Sequence, residues 1–382
     1  DIYVPLEKLK GAKDGDKAIA KITVWPKSAD NPYGEIIEVL GNNGGNDVEM
    51  ISILVNQGLD FKFNEDVLSE AESLTLELDK KEIAKRRDFR DVKTFTIDPH
   101  DAKDFDDALS FKELENGHIE VGVHIADVSH YVRPGTAMDD EAFKRSNSVY
   151  LVDRVVPMLP EQLSNLVCSL RPNEEKFTFS AVFEIDEKGK VYNEWFGKTV
   201  IYSDRRFAYE DAQEIIEGAD GDFKEEILFL DKVAKILRKK RLDNGAMNIE
   251  SSEMRFRLDE EGHPVEVVIK TSKDANKLIE EFMLLANRRV ASFISNKKKG
   301  QEKIPFIYRC HDKPDTAKIE LFNLFVKKFG YEVDTENPEK ISKNINALLE
   351  DIRYKNEFEL IQTMAIRSMS KATYETTNIG HY

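Results

Sequence analysis

The chain has 382 residues, of which 41% are hydrophobic and 34% charged, and carries a net charge of −16. That length allows two or three domains with substantial cores, and no apolar run is long enough to span a bilayer. The two cysteines, Cys168 and Cys310, are far apart and form no CxxC pair, which excludes a disulfide scaffold and suits a reducing cytoplasm.

The acidic balance taken alone argues against a nucleic-acid partner. Basic clumps at 85–87, 205–206, 238–241, 288–289 and 297–299 read as solvated faces. The chain begins at Asp1 and stops at Gly380-His381-Tyr382, so the expectation is a piece of a longer, monomeric, cytoplasmic protein without a secretory signal.

Residues 1–65 are expected to form a small β domain of the OB type. Tyr3-Val4-Pro5-Leu6, 17–25 and 34–40 are β-rich runs separated by Gly, Asp and Asn-Pro turn signals, and 41–46 reads as a flexible loop. Such barrels commonly bind single-stranded nucleic acid. Residues 66–93 have a helical, charged pattern with Leu74, Leu78 and Ile83 on a sparse stripe, as befits a connector.

The larger domain, 94–382, opens on a β-prone run at 94–97 that Asp98-Pro99 ends. Runs at 105–113 and 118–126 flank Asn116-Gly117, a strong hairpin signal. A two-residue turn there sets Glu115 opposite His118 and, further back, Asp106 opposite Asp127. That register predicts Asp104, Asp106 and Asp127 on one face and Asp107 on the other. Further hairpins are expected at 177–185 with 191–202 and at 254–258 with 265–269. Helices are expected near 209–242, 272–296, 315–329 and 341–371, with Ser272 or Asp274 capping the second. Hairpins interspersed with long helices define an α+β domain with a mostly antiparallel sheet.

Within TIDPHDAKDFDDALSF stand five aspartates: Asp98, Asp101, Asp104, Asp106 and Asp107. Two unit charges about 5 Å apart repel by roughly 3 kcal/mol at an effective dielectric of 20. The alternatives are a solvated acidic loop, the usual fate of charge runs, and a metal site; interleaved Ile97, Phe105, Ala108 and Leu109 tie the segment to a core and favour divalent cations as the compensation. Oxygen-only ligands favour Mg²⁺ or Mn²⁺ over Zn²⁺. Several carboxylates can hold two such ions for phosphodiester hydrolysis. A glycosidase needs only one acid and one base, so five aspartates are surplus to it. An EF-hand frame from Asp104 fails at Ala108 and Leu109, and Gly197-Lys198-Thr199 fails as a P-loop because Tyr192 replaces its first glycine.

Thr96-Ile97-Asp98-Pro99-His100-Asp101-Ala102-Lys103-Asp104-Phe105-Asp106-Asp107-Ala108-Leu109 resembles the signature of the ribonuclease II and ribonuclease R family of 3′-to-5′ exoribonucleases. The likeness continues through Val123-His124-Ile125-Ala126-Asp127-Val128, Pro157-Met158-Leu159-Pro160, Cys168-Ser169-Leu170-Arg171, Glu280-Glu281-Phe282-Met283-Leu284-Leu285-Ala286-Asn287 and Tyr374-Glu375-Thr376-Thr377-Asn378. The first domain is similar to a cold-shock domain of the ribonuclease R branch, including Asn31-Pro32 and Gly34-Glu35-Ile36-Ile37-Glu38-Val39-Leu40-Gly41.

The resemblance implies that Asp98, Asp104, Asp106 and Asp107 are catalytic and bind Mg²⁺. It implies that Tyr150 stacks near the 3′-terminal nucleotide, although from the residues alone Tyr150 reads as a strand-core aromatic. Arg171 and His311 are implied to line an RNA channel. Asp127, added from the hairpin register, is expected to orient a metal ligand from behind. The implied reaction is stepwise release of nucleoside 5′-monophosphates from single-stranded or 3′-overhang RNA. The family continues beyond a similar Gly-His-Tyr into an Arg-Arg-Tyr motif and another RNA-binding domain, so these residues alone are expected to turn over little. The competing expectation is an RNA-binding or regulatory module with a non-functional nuclease site.

Overall fold

The computed structural model describes residues 1–249, 253–259, 263–296, 304–334 and 340–379. The basic clump at 297–299 and the terminal Gly380-His381-Tyr382 lie outside the described residues. Contacts gather the chain into two units that interleave in sequence. One holds 1–77, 128–167 and 253–270; the other holds 78–127, 168–252 and 271–382. The expected boundaries run in series along the chain, whereas these segments alternate between units.

In the first unit Asp16–Val24 and Tyr33–Asn42 form an antiparallel ribbon, and Tyr3 bridges to Tyr33. Residues 46–65, expected to belong to a wholly β domain, instead supply the helix Asn46–Asn56, which buries Val48 and Leu54. Asp47 and Glu49 in its first turn complement the helix dipole. Glu65–Glu72 is helical as expected and buries Val67 and Ala71. A short ladder, Val149–Tyr150 with Val155–Val156, and a hairpin of Glu253–Leu258 with Pro264–Lys270 complete the described strands of this unit.

The second unit is built on a seven-stranded sheet. Its strands are β1 (Arg87–Phe89), β2 (Lys93–Asp98), β3 (Asp107–Glu113), β4 (Ile119–Ala126), β5 (Glu174–Ile185), β6 (Val191–Ser203) and β7 (Arg205–Ala208). The spatial order is β7-β2-β3-β4-β5-β6-β1. The four inner pairings are antiparallel, and the edge strands β7 and β1 run parallel to β2 and β6. The mostly antiparallel expectation holds.

One face of the sheet carries Phe95, Ile97, Leu109, Phe111, Val121, Val123 and Phe183 against three helices. These are α1 (Tyr209–Ile216), α2 (Lys224–Asp243) and α3 (Asp274–Ser295). Helical spacing puts Ile227, Leu230 and Ala234 on one stripe of α2, and Leu278 with Phe282 on one stripe of α3. Phe282 is fully buried, so truncating it to Ala would cost about 3–5 kcal/mol.

The expected helix at 209–242 is two helices, because Phe223 takes a left-handed conformation just before α2. Neither Ser272 nor Asp274 caps α3. Lys273 is the cap residue; its N–H donates to Asn276 Oδ1 at 3.0 Å, and the buried Gln213 Oε1 accepts from Ala275 N at 3.0 Å. A second core joins Thr316–Lys327, Ile341–Asp351 and Phe358–Ser368 around Phe322, Ile345 and Ile361. No described helix is long and apolar enough to cross a membrane.

The β3–β4 register differs from expectation by one residue. The turn has three residues: Leu114 N donates to His118 O and Gly117 N to Leu114 O, each at 2.9 Å. Gly117 has φ +80°, and it alone of the Asn116-Gly117 pair is positive, so the two-residue turn that needs both is not formed. Asn116 Oδ1 accepts from His118 N at 3.0 Å and holds the longer loop. Asp107 consequently faces Ile125, and Asp106 O accepts from Ala126 N at 2.9 Å. Asp106 therefore sits opposite Ala126, and the pairing that was to bring Asp127 onto the face of Asp104 and Asp106 is absent.

Candidate active site

Asp98 closes β2 and Asp107 opens β3, and the loop 99–106 joins them. The β2–β3 ladder ends at Phe95 with Leu109, so the two strands part before they reach the aspartates. The loop is fixed at both ends. Arg206 Nη2, from β7, donates to Pro99 O at 2.6 Å and His100 O at 2.8 Å. Ser169 Oγ accepts from Phe105 N at 3.0 Å and donates to Lys103 O at 2.9 Å, while Leu170 N donates to Phe105 O at 2.8 Å. The buried Phe105 ring is thereby an anchor between the more exposed Asp104 and Asp106.

The electrostatics are those of acids lacking cations. None of Asp98, Asp104, Asp106 and Asp107 forms an ion pair among the described residues. Burial pushes Asp98 up to about 7; the charges of Asp107 and Asp104 add to the rise, while Thr96 and Arg206 oppose it. Asp107 is pushed up to about 6 by burial and by Asp106. Asp106 is raised by burial and by Asp104, although its side chain still reaches solvent. Asp98 Oδ2 is buried without a hydrogen-bond partner. Each of these conditions would be relieved by a divalent cation. The four donors share one loop, but no three potential ligand groups converge on a single point among the described residues.

Asp127 differs from these four. Its Oδ2 lies 2.7 Å from Arg86 Nη2 and 3.4 Å from Lys198 Nζ, and its N–H donates to Phe177 O at 3.0 Å. Arg86 is itself buried, stacks on Phe177 and reaches Glu82 at 3.0 Å. The role expected of Asp127, behind a metal ligand, rested on the register now replaced. The geometry shows a buried ion pair at the end of β4.

The other expected residues are dispersed. Tyr150 is 71% exposed, so it is no strand-core aromatic; its ring is available to stack, and it belongs to the first unit. Arg171 follows directly on the Ser169-Leu170 clamp; its N–H donates to Ser169 O at 2.8 Å and its Nε is 3.6 Å from Glu174. His311 is exposed, pairs with Arg309 Nη1 at 2.9 Å and has no contact with the aspartate loop among the described residues. Cys168 is buried and its thiol is pushed up to about 12, which disqualifies it as a nucleophile.

Three site residues escaped sequence reasoning. Arg206 was grouped with Arg205 as a solvated clump, and Ser169 carried no signal outside its motif. Tyr209, at the start of α1, feels the charges of Asp107 and Asp98 and is raised to about 12, chiefly by burial. Its place is set by the parallel pairing of Ala208 with Asp98, which no local pattern announces.

A unit with an N-terminal β ribbon and a mostly antiparallel α+β sheet with an aspartate loop between β2 and β3 make up the architecture. Residues 86–382 match the RNB domain and residues 1–64 the Cold shock domain, CSD2. The chain belongs to the RNB family, that of ribonuclease II and ribonuclease R. Ribonuclease R of Thermotoga maritima is 39% identical over 391 residues, covering 100% of this chain and 54% of that protein. The protein named Inactive exonuclease DIS3L2, of Arabidopsis thaliana, is 34% identical over 394 residues, covering 98% of this chain and 37% of its own. Among solved structures, Mycoplasma genitalium RNase R in complex with ribose methylated single-stranded RNA aligns with a TM-score of 0.88 and 25% identity, covering 100% of this chain and 60% of that one. The chain spans about half the length of the curated relatives it matches.

Proposed function

We propose that this chain carries the catalytic centre of a hydrolytic, Mg²⁺-dependent 3′-to-5′ exoribonuclease that releases nucleoside 5′-monophosphates from single-stranded or 3′-overhang RNA. The observation that carries this is one segment with four acids, of which Asp98, Asp106 and Asp107 are raised chiefly by burial, and none of which is ion-paired among the described residues.

Asp98, Asp104, Asp106 and Asp107 would hold Mg²⁺, with Mn²⁺ an alternative. When bound, the cation supplies a water of lowered pKa and charge compensation for the departing oxygen. The protein's share is positional. Phe105, gripped by Ser169 and Leu170, fixes the backbone between Asp104 and Asp106. The buried Asp98, raised by burial, would release its proton to solvent when a cation binds in its place. The exposed ring of Tyr150 offers a stacking surface for a terminal base, and Arg171 and His311 offer donors to phosphate. A monomeric protein in the cytoplasm belongs to the same proposal, supported by two free, buried cysteines.

Because these 382 residues correspond to about half the relatives' length, they alone are expected to bind divalent cations yet release mononucleotides slowly or not at all. The inactive Arabidopsis relative makes a second role, RNA binding without cleavage, a real competitor. The retained aspartates favour catalysis, since four unpaired acids on one loop destabilise a fold that has no use for them. Incubating the full-length protein with 3′-overhang RNA and Mg²⁺, beside its Asp106→Asn variant, separates the two. Mononucleotide release that the variant loses while still binding RNA supports the nuclease; no release by either form overturns it.

A further inference from the structure

Arg206 is joined to the aspartate loop at both of its ends. Nη2 alone donates to two consecutive carbonyls, Pro99 O and His100 O, just past Asp98. The same guanidinium lies over the Phe105 ring, 5.5 Å from its centroid, just before Asp106. Its neighbour Arg205 behaves in the opposite way: exposed, 3.4 Å from Asp222 and over Phe207. Among the described residues Arg206 forms no ion pair, and its Nε is buried without a hydrogen-bond partner. A surface arginine would seek a carboxylate. This one is spent on main-chain oxygens instead, and its parallel register opposite Thr96 sets it beside the last turn of chain before the acids.

We infer that Arg206 is a positioning residue of this site, a fork that holds loop 99–105 in the shape from which Asp98, Asp104 and Asp106 can close on a cation. The inference rests on the nuclease proposal for its purpose, but not for its measurement. Two diverging N–H donors on one nitrogen, combined with a planar face over Phe105, are properties of a guanidinium that an ammonium reproduces only in part. The fork acts on the backbone, so its loss loosens the acids without removing any of them.

The test compares Arg206→Gln, Arg206→Lys and the control Arg205→Gln in the full-length protein. Hydrogen exchange of the peptide covering 99–106 and calorimetric titration with Mn²⁺ are the readouts, with RNA affinity and thermal unfolding alongside. Arg206→Gln is expected to speed exchange in that peptide and weaken Mn²⁺ binding by about 10-fold or more, as losses behind a metal ligand do. RNA affinity should stay at the wild-type level, Arg206→Lys should recover part of the loss, and Arg205→Gln should match wild type. Wild-type loop protection and Mn²⁺ affinity in Arg206→Gln would overturn the inference. So would faster exchange spread evenly over the sheet with a lowered melting point, which would make Arg206 a general stability residue. If the wild-type protein released no mononucleotide while Arg206→Gln still loosened the loop and Mn²⁺ binding, the nuclease proposal would fail and this inference would stand.

Discussion

Two acidic regions at the same sheet behave differently. Asp127 is buried and has Arg86 and Lys198 beside its carboxylate. Asp98 is buried too, yet its Oδ2 has no hydrogen-bond partner, and the charges of Asp107 and Asp104 act on it against that of Arg206. A buried carboxylate that serves the fold comes with its own cation, because an uncompensated one costs several kcal/mol. None of the four acids of segment 98–107 has an ion pair among the described residues, and only Asp98 feels an opposing charge, that of Arg206. The contrast separates acids that hold the protein together from acids kept for an external cation.

The sharpest way to break this comparison is to neutralise one acid of each kind. Asp106→Asn is expected to lower mononucleotide release by at least about 100-fold, with RNA affinity retained, measured by single-turnover assay of the full-length protein. Asp127→Ala is expected to do the reverse: stability falls by about 3 kcal/mol in urea unfolding because Arg86 loses its buried partner, and Mg²⁺ does not restore it. Equal effects of the two changes on cation binding would erase the distinction. Tyr150→Ala, which touches neither set of acids, should weaken binding of a single-stranded 3′ end by about 1–3 kcal/mol in fluorescence anisotropy while leaving Mn²⁺ affinity unchanged.

The smallest effect is in pH. Asp98 and Asp107 titrate near 7 and 6 in the fold, above the ordinary 3.8 of an unfolded aspartate. Between those limits the native protein holds protons that the unfolded chain has shed, so stability falls as pH rises from about 4 to about 7. A cation reverses this by compensating the ionised acids. The gain in melting temperature on adding Mg²⁺ should therefore grow over the same window and level off above about pH 7. A gain independent of pH would detach these acids from the cation.

Much of this was legible from residues. The crowding of Asp98 to Asp107 around Phe105 marks the loop, Asp98-Pro99 marks the end of β2, and alternation marks the hairpins. The register of β3 against β4 was not, because the choice between a two- and a three-residue turn depends on Asn116 accepting from His118 N. Arg206 was invisible for a different reason. It reaches Pro99, 107 positions away in sequence, by way of a parallel strand pairing, and local charge patterning shows only that it is basic. The helix Asn46–Asn56 was hidden by β-branched residues, of which only Val48 is buried. Nor does any linear pattern show that 128–167 and 253–270 gather with the first 77 residues.

Calorimetric titration of residues 1–382 with Mn²⁺ tests the central claim most directly, using wild type, Asp98→Asn, Asp106→Asn and Asp127→Asn. Binding that is present in wild type, lost in Asp98→Asn and Asp106→Asn, and kept in Asp127→Asn is the predicted result. Binding that survives in both loop variants, or is absent from the wild-type chain, would contradict it.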